Sequence, residues 1–132
     1  MKISYKFDVI PTVEKIIELY DDAGLARPTT DIARIRKMYE QSNLIITAWN
    51  EDELIGIARS LTDFCYATYL SDLAVKKQYQ KLGIGKELVA LTKEKIGNQS
   101  MLLLLSVPTA LEYYPKIGMI KIDNGFIIHR SE

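Results

Sequence analysis

Between residues 73 and 86 the chain reads Leu-Ala-Val-Lys-Lys-Gln-Tyr-Gln-Lys-Leu-Gly-Ile-Gly-Lys. An apolar strand enters a loop whose last residues include two glycines, and a helix starts at once. Backbone N–H groups at such a junction point outward and converge, with the positive end of the helix dipole behind them. That arrangement holds a phosphate or pyrophosphate without an arginine cluster. Glycine at 83 and 85 leaves no Cβ between the backbone and the oxygens. Two commoner phosphate motifs fail on spacing. A P-loop needs four residues between its glycines and Ser or Thr after its lysine; here one residue intervenes and Glu87 follows Lys86. A dinucleotide fingerprint needs a third small residue at 88, which is leucine.

The elements that must position this loop follow from periodicity. Ile3, Tyr5 and Phe7 alternate with Ser4, Lys6 and Asp8 as a first strand. Pro11 and Thr12 open a helix to about Ala23, with Val13, Ile16, Ile17 and Tyr20 on one face and Gly24 as its stop. Thr30 or Asp31 caps a second helix whose Ile32, Ile35, Met38 and Tyr39 share a face. Leu44–Trp49 and Leu54–Arg59 form an antiparallel pair across a turn at residues 50–53. Tyr66–Val75 is another strand and Gly85–Ile96 a helix with Leu88, Val89, Leu91, Thr92 and Ile96 inward. Met101–Leu105 lacks alternation, as a strand covered on both faces would. A short helix runs from Pro108 to about Ile117. Met119–Ile122 and Phe126–Arg130 read as a hairpin across Asp123-Asn124-Gly125. Strands and helices in this order predict a mixed α/β (α+β) fold in one domain spanning residues 1–132.

Composition narrows the chemistry. Seventeen basic residues balance 17 acidic ones among 132, which argues against a nucleic-acid-binding surface. One cysteine, Cys65, and one histidine, His129, cannot build a disulfide framework or a Cys/His zinc site, so no metal is expected. Cys65 reads as a quiet buried thiol. The longest apolar run is too short to span a bilayer and the N-terminus lacks a signal-peptide core, so the protein reads as cytoplasmic and unattached to membranes. Lysines 76, 77, 81, 86, 93 and 95 face two glutamates, a local excess of +4 that would attract a phosphorylated ligand, although a solvated helix face explains the last two.

The Gln-x-x-Gly-x-Gly of Gln80, Gly83 and Gly85, after a strand ending Leu-Ala-Val, resembles the coenzyme A signature of the GNAT acetyltransferase superfamily. Residues 110–119, Ala-Leu-Glu-Tyr-Tyr-Pro-Lys-Ile-Gly-Met, look like that family's downstream segment. The order of elements matches from residue 3 to 130. Two positions depart: Val107 stands where many members carry asparagine, and Pro115 replaces a usual polar residue. The resemblance implies a mixed sheet of about six to seven strands flanked by about four helices. A bulge would splay the fourth strand from the fifth into a V-shaped slot.

It also implies roles. Backbone groups of Gln80, Lys81, Leu82, Gly83, Ile84, Gly85 and Lys86 would hold the pyrophosphate of acetyl-CoA. Those of Leu73, Ala74 and Val75 would line the pantetheine arm, with an N–H near Val75 polarising the thioester carbonyl. Tyr114 matches the tyrosine that protonates the leaving thiolate, while Tyr113 reads as core. Asp72, beside the bulge, is the candidate base that takes the amine proton, with Glu112 and Asp63 behind it. Arg27, Arg59, Tyr66 and Tyr69 would line the acceptor pocket. The expected reaction moves an acetyl group from acetyl-CoA to a small-molecule or peptide amine by direct attack in a ternary complex. The competing reading is a non-catalytic acyl-CoA sensor. Apolar residues of the last hairpin, Ile120, Ile122, Ile127 and Ile128, would suit a homodimer contact.

Overall fold

The computed structural model describes residues 1–7 and 9–132; Asp8, read above as an outward residue of the first strand, lies outside them. In chain order the elements are β1 (Ile3–Lys6), α1 (Val13–Ala23), α2 (Ile32–Glu40), β2 (Leu44–Asn50), β3 (Glu53–Thr62), β4 (Ala67–Val75), α3 (Ile84–Ile96), β5 (Met101–Leu103) and α4 (Tyr113–Lys116). Single 3-10 turns occupy Lys77–Tyr79 and Pro108–Ala110. Thr12 caps α1 by accepting from the Lys15 N–H, and Asp31, one of the two expected caps, does the same for α2 through Arg34. Gly24 closes α1 in the left-handed region at φ 73°, which turns the chain back toward the sheet.

The five strands lie in sequence order, β1-β2-β3-β4-β5, antiparallel except for the parallel pair β4–β5. Two apolar clusters sandwich this sheet. On one face α1 and α2 press Ile16, Leu19, Tyr20, Ile35 and Tyr39 against Ile45, Trp49, Ile57 and Ala74. On the other, α3 presses Ile84, Leu88, Val89 and Ile96 against Ile46, Ala48, Ile55, Ala58 and Leu70. Because both faces are covered, β2 is buried at six successive residues, a continuous run where a one-sided strand would alternate.

The architecture is the mixed α/β sheet expected, with five strands in place of six or seven. The C-terminal hairpin accounts for the shortfall, and the fifth strand differs only in its length. The anticipated hairpin is absent: residues 119–132 form no strand, and Ile120, Phe126 and Ile128 stand exposed. The Asp-Asn-Gly turn signal is local, whereas a hairpin here also needs a sheet edge on which to bury its apolar side, and this segment lies on none within its own chain. The fifth strand is shorter than the run Met101–Leu105, and its ends are open, with Met101 and Leu105 exposed. The unbroken leucines therefore mark an edge strand beside a cleft, and cover on both faces was the wrong inference. The expected helix after Pro108 divides into a 3-10 turn and the one-turn α4, with Pro115 accommodated in that single turn.

Leu88, fully buried between α3 and the sheet, carries much of the seating of α3. Leu88→Ala is expected to lower the unfolding free energy by roughly 2–5 kcal/mol, measured by urea denaturation.

Candidate active site

The site begins with a register fault in β4. Arg59 of β3 faces Asp72, but the next residue, Ser60, faces Leu70, so Ser71 is an extra residue in the ladder. A bulge bends its strand and raises the local twist. β4 pairs with β5 over three residues, from Ala67 opposite Met101 to Tyr69 opposite Leu103, two residues before the bulge, and the strands then separate. The closed end of the V lies at the Met101 N–H, which donates to Tyr66 O at 3.0 Å. Its open part is a cleft of about 370 Å³ between Leu70, Ser71, Leu73, Ala74 and Val75 on one side and Leu104, Leu105 and Val107 on the other, with Gly24, Leu25, Gln80 and Tyr114 at its borders.

The backbone of β4 faces this cleft at alternate residues. The Lys76 N–H donates to Ile55 O at 2.9 Å, and the antiparallel register sets Gly56 opposite Val75 and Ala58 opposite Leu73. By the alternation of such a ladder, Ala74 turns its peptide groups toward β3, while Leu73 and Val75 turn theirs toward the cleft. The Gln80 side-chain amide donates to Val75 O at 3.0 Å, tying the loop to the strand end.

At the end of the cleft the loop presents its donors. Gly83 is the N-cap of α3, left-handed at φ 81°, with no capping side chain, and Lys81 is also left-handed at φ 70°. The first hydrogen bond of the helix runs from the Glu87 N–H to Gly83 O. Among the described residues, the six consecutive N–H groups of Lys81, Leu82, Gly83, Ile84, Gly85 and Lys86 have no acceptor in the chain. Such a row suits an anion with several oxygens. Lys81 and Lys86 are exposed beside it and join no ion pair among the described residues.

Gly85 has a steric task as well. A Cβ there would stand 2.8 Å from the Tyr113 hydroxyl. Tyr113 packs edge-on against Tyr114, ring centroids 5.2 Å apart, and Tyr114 borders the cleft. Burial, with a smaller effect of Tyr113, raises the Tyr114 hydroxyl above its ordinary range, so it stays protonated at neutral pH. Tyr113 is itself more than one-third exposed rather than core.

Behind the bulge lies a buried ionic cluster. Asp72 is fully buried, and Arg27 Nε reaches its Oδ1 at 2.7 Å while Arg59 Nε reaches its Oδ2 at 2.7 Å. The Tyr20 hydroxyl donates to Oδ2 at 2.6 Å and is hydrogen-bonded to Tyr39. The same guanidiniums grip the bulge: Arg27 Nη2 donates to Ser71 O at 2.7 Å and Arg59 Nη2 to Ser71 Oγ at 2.9 Å. Burial alone would raise the Asp72 carboxyl, but hydrogen bonds from Arg59 and Tyr20 and the charges of Arg59 and Arg27 outweigh it and hold it below the usual range.

Several expected roles change on this geometry. Asp72 takes no proton here, since its oxygens are filled by donors and its carboxyl is held ionised. Arg59 is buried in the cluster and does not line an acceptor pocket. Arg27 borders the cleft, yet its guanidinium is committed to Asp72, Ser71 and Ala26. Tyr66 is exposed at the closed end and Tyr69 sits on the last paired rung, so neither borders the cleft. Asp63 accepts from the Cys65, Tyr66 and Ala67 N–H groups, which draw its carboxyl down to about 2. Lys76 is buried against Glu18 and Glu53 at 3.0 and 3.1 Å and is withdrawn from the loop. Lys93 instead donates to Gly97 O and Ser100 O beyond the end of α3, and Lys95 lies over the Phe7 ring. Cys65 is exposed, with slight desolvation and the Asp63 carboxylate pushing its thiol up. His129 is exposed on the unpaired C-terminal segment. Among the described residues no three His, Cys, Asp or Glu side chains are grouped to hold a metal ion, and no helix is long and apolar enough to cross a membrane.

The fold matches known proteins. The family model for the acetyltransferase (GNAT) domain matches residues 17–128. The chain belongs to the GNAT acetyltransferase family. A Pyropia yezoensis protein described as an uncharacterized N-acetyltransferase, ycf52, is 26% identical across 94% of this chain and 76% of its own length. A crystal structure from meticillin-resistant Staphylococcus aureus, described as a probable acetyltransferase, is 25% identical, with a TM-score of 0.83 over 98% of this chain and all of the other. An aminoglycoside N-acetyltransferase crystallised with coenzyme A shares the fold at 12% identity, with a TM-score of 0.74 over 98% of this chain and 95% of its own. In this GNAT chain the spacing of Gln80, Gly83 and Gly85 thus belongs to a loop at the mouth of the splayed strands. Ser71, Tyr20 and Tyr39 carry no motif. Their only trace in the sequence is an aspartate and an arginine on adjacent strands that burial obliges to find partners.

Breaking a buried ion pair by removing one partner costs roughly 3–5 kcal/mol. Asp72→Asn is expected to lose stability on that scale at neutral pH, measured by thermal and urea unfolding. Because the carboxyl is depressed in the folded state, its contribution is complete above the ordinary carboxylate range and disappears as pH falls through the lowered value. Melting temperature plotted against pH should therefore fall in acid for the wild type and show a flatter acid limb for Asp72→Asn.

Proposed function

We propose that this GNAT chain is an acetyl-CoA-dependent N-acetyltransferase, acting as one domain over residues 1–132. It would transfer the acetyl group to a primary amine by direct attack with both substrates bound. The observation that carries this reading is the continuity of backbone groups along the cleft. The cleft-facing peptide groups of Leu73 and Val75, of which Val75 O already accepts from the Gln80 side chain, lead along the wall toward the six unpaired N–H groups of residues 81–86. A long ligand with amide groups in its arm and a pyrophosphate at its bend fits that line of partners, and coenzyme A is such a ligand.

Each residue then has a task. The loop N–H groups hold the pyrophosphate and the αL turn at Gly83 aims them. Lys81 and Lys86 add positive charge at the entrance. The thioester supplies an already activated acetyl group, so positioning provides much of the acceleration. A cleft-facing peptide N–H of β4 near Val75 orients and polarises the carbonyl. Tyr114, neutral and at the border of the cleft, donates its proton to the departing sulfur. With Asp72 committed to two arginines and Asp63 to a turn, the amine proton passes to water in the open cleft. The cluster around Asp72 positions the strand and does not touch the reacting atoms.

Thiol release from acetyl-CoA with a panel of amines tests this. Wild type should turn over at least one amine, and Tyr114→Phe should lower kcat by about 100-fold, at the lower end for a proton donor, while coenzyme A affinity, measured by calorimetry, stays within a factor of a few. Tight binding without turnover on any amine would make the chain an acyl-CoA sensor; failure to bind acetyl-CoA would contradict both readings. Gly83→Ala meets no neighbour but strains φ, so it should weaken coenzyme A binding through loop geometry, with kcat at saturation little changed.

A further inference from the structure

One cation of the buried cluster is left over. Two guanidiniums, those of Arg27 and Arg59, face the single carboxylate of Asp72, so the group carries an excess of one positive charge. Among the described residues neither arginine meets a second carboxylate. Arginine stays charged in proteins, and Tyr20 and Tyr39, which complete the cluster, are held protonated by burial. Arg59 is enclosed, its side chain 8% exposed, whereas that of Arg27 is 26% exposed and lines the cleft. The uncompensated charge is therefore open to the cleft at Arg27. A guanidinium has five N–H groups. Here Nε serves Asp72, one N–H of Nη1 serves Ala26 O and one of Nη2 serves Ser71 O, which leaves an N–H on each Nη without an acceptor.

Its place in the cleft says what this cation can meet. Ser71, which Arg27 holds, lies four residues before Val75, about 13 Å along the strand. Arg27 thus stands at the end of the β4 wall away from the glycine loop. A ligand whose pyrophosphate rests on residues 81–86 and whose arm follows Val75 and Leu73 brings its reactive end toward this charge. The surrounding walls are apolar, built by Leu25, Leu70, Leu104, Leu105 and Val107, and no aspartate or glutamate lines the cleft. Asp21 and Asp22, near the end of α1, are taken up by the Thr29 hydroxyl and the Lys77 N–H. A polycationic acceptor would need carboxylates here and meets a cation in their place.

We infer that the acceptor is a small amine that also bears a carboxylate and an apolar substituent, the chemistry of an apolar amino acid, with its carboxylate seated on the free Nη N–H groups of Arg27. The inference rests on the N-acetyltransferase reading for its amine. A carboxylate there gains charge-assisted hydrogen bonds from a cation already fixed on the protein, so little side-chain freedom is lost on binding. The apolar substituent lies against the leucines of the cleft. With the acid end anchored, the amine nitrogen attacks the acetyl carbonyl carbon and the C–S bond breaks. Tyr114 protonates the departing thiolate and is reprotonated from solvent, while the proton on nitrogen leaves to water. The products are an N-acetyl amino acid and coenzyme A. The residue that holds the bulge at Ser71 then also selects what approaches the thioester.

Thiol release from acetyl-CoA by the full chain measures the preference. Phenylalanine and leucine should exceed phenylalaninamide, leucinamide, phenethylamine and spermidine in kcat/KM by roughly 10–100-fold, the worth of charge-assisted hydrogen bonds to one carboxylate. An amide lowers the basicity of its neighbouring amine and frees more of it to react, so a preference for the acid reports binding. In Arg27→Gln the acid-to-amide ratio should fall toward one, a readout that a general loss of stability does not move; circular dichroism checks the fold. A second measurement needs no turnover. Titration calorimetry on the coenzyme A complex should show N-acetylphenylalanine binding at least about 10-fold more tightly than N-acetylphenylalaninamide. Amides or simple amines used as well as the acids, or a ratio that survives Arg27→Gln, would overturn the proposal and leave the transferase reading intact. No thiol release with any amine would overturn the transferase reading instead. Calorimetry then decides the carboxylate site, and equal or absent binding of the two acetylated compounds overturns it.

Discussion

One buried carboxylate organises this molecule. Asp72 sits at the centre of β4 with a guanidinium on each oxygen and a tyrosine hydroxyl between helix and sheet. Its partners come from four elements or their connections: Tyr20 from α1, Arg27 from the loop after it, Tyr39 of α2 through Tyr20, and Arg59 from β3. An uncompensated charge in that place is far more costly than any single apolar contact, so the helices cannot move independently of the sheet. The same two arginines hold the carbonyl and hydroxyl of Ser71, the extra residue of the bulge. Because the bulge lies where β4 parts from β5, the cluster that joins helices to sheet also keeps the cleft open.

The glycine loop uses that opening. Its six unpaired N–H groups and the cleft-facing peptide groups of Leu73 and Val75 meet at the point where β4 ends and α3 begins. Gln80 fastens the two together through Val75 O. On the far side Tyr113 rests its hydroxyl where a side chain at 85 would be, and stacks on Tyr114. One glycine thus admits the tyrosine pair while the other shapes the turn.

Much of this was legible in the sequence, and what was not has a physical reason. Spacing alone located the loop, since glycines at 83 and 85 after Leu-Ala-Val state a local geometry that depends on few other residues. Helices and the strands from 44 to 75 were legible for the same reason: their periodicity is local. Asp72 was legible as a residue beside the bulge but not as a structural ion, because its partners lie 45 residues away at Arg27 and 52 at Tyr20. Lys76 misled in the same manner, its charge neutralised by Glu18 and Glu53 through packing the sequence does not display. At the C-terminus the Asp-Asn-Gly turn signal was sound as local chemistry. Pairing also depends on a sheet edge within reach, which is not a property of residues 119–130 alone.

On the proposed function, coenzyme A lies along the row of backbone donors from Lys81 to Lys86, continued by Leu73 and Val75. Amide NMR of the isotope-labelled protein, titrated with coenzyme A in the absence of any amine, tests this most directly. The N–H resonances of residues 81–86 and of Leu73 and Val75 should move together and saturate at one affinity, while those of the turn at Asp63–Tyr66 stay in place. Saturable shifts that leave residues 81–86 unmoved would contradict binding of coenzyme A at this loop.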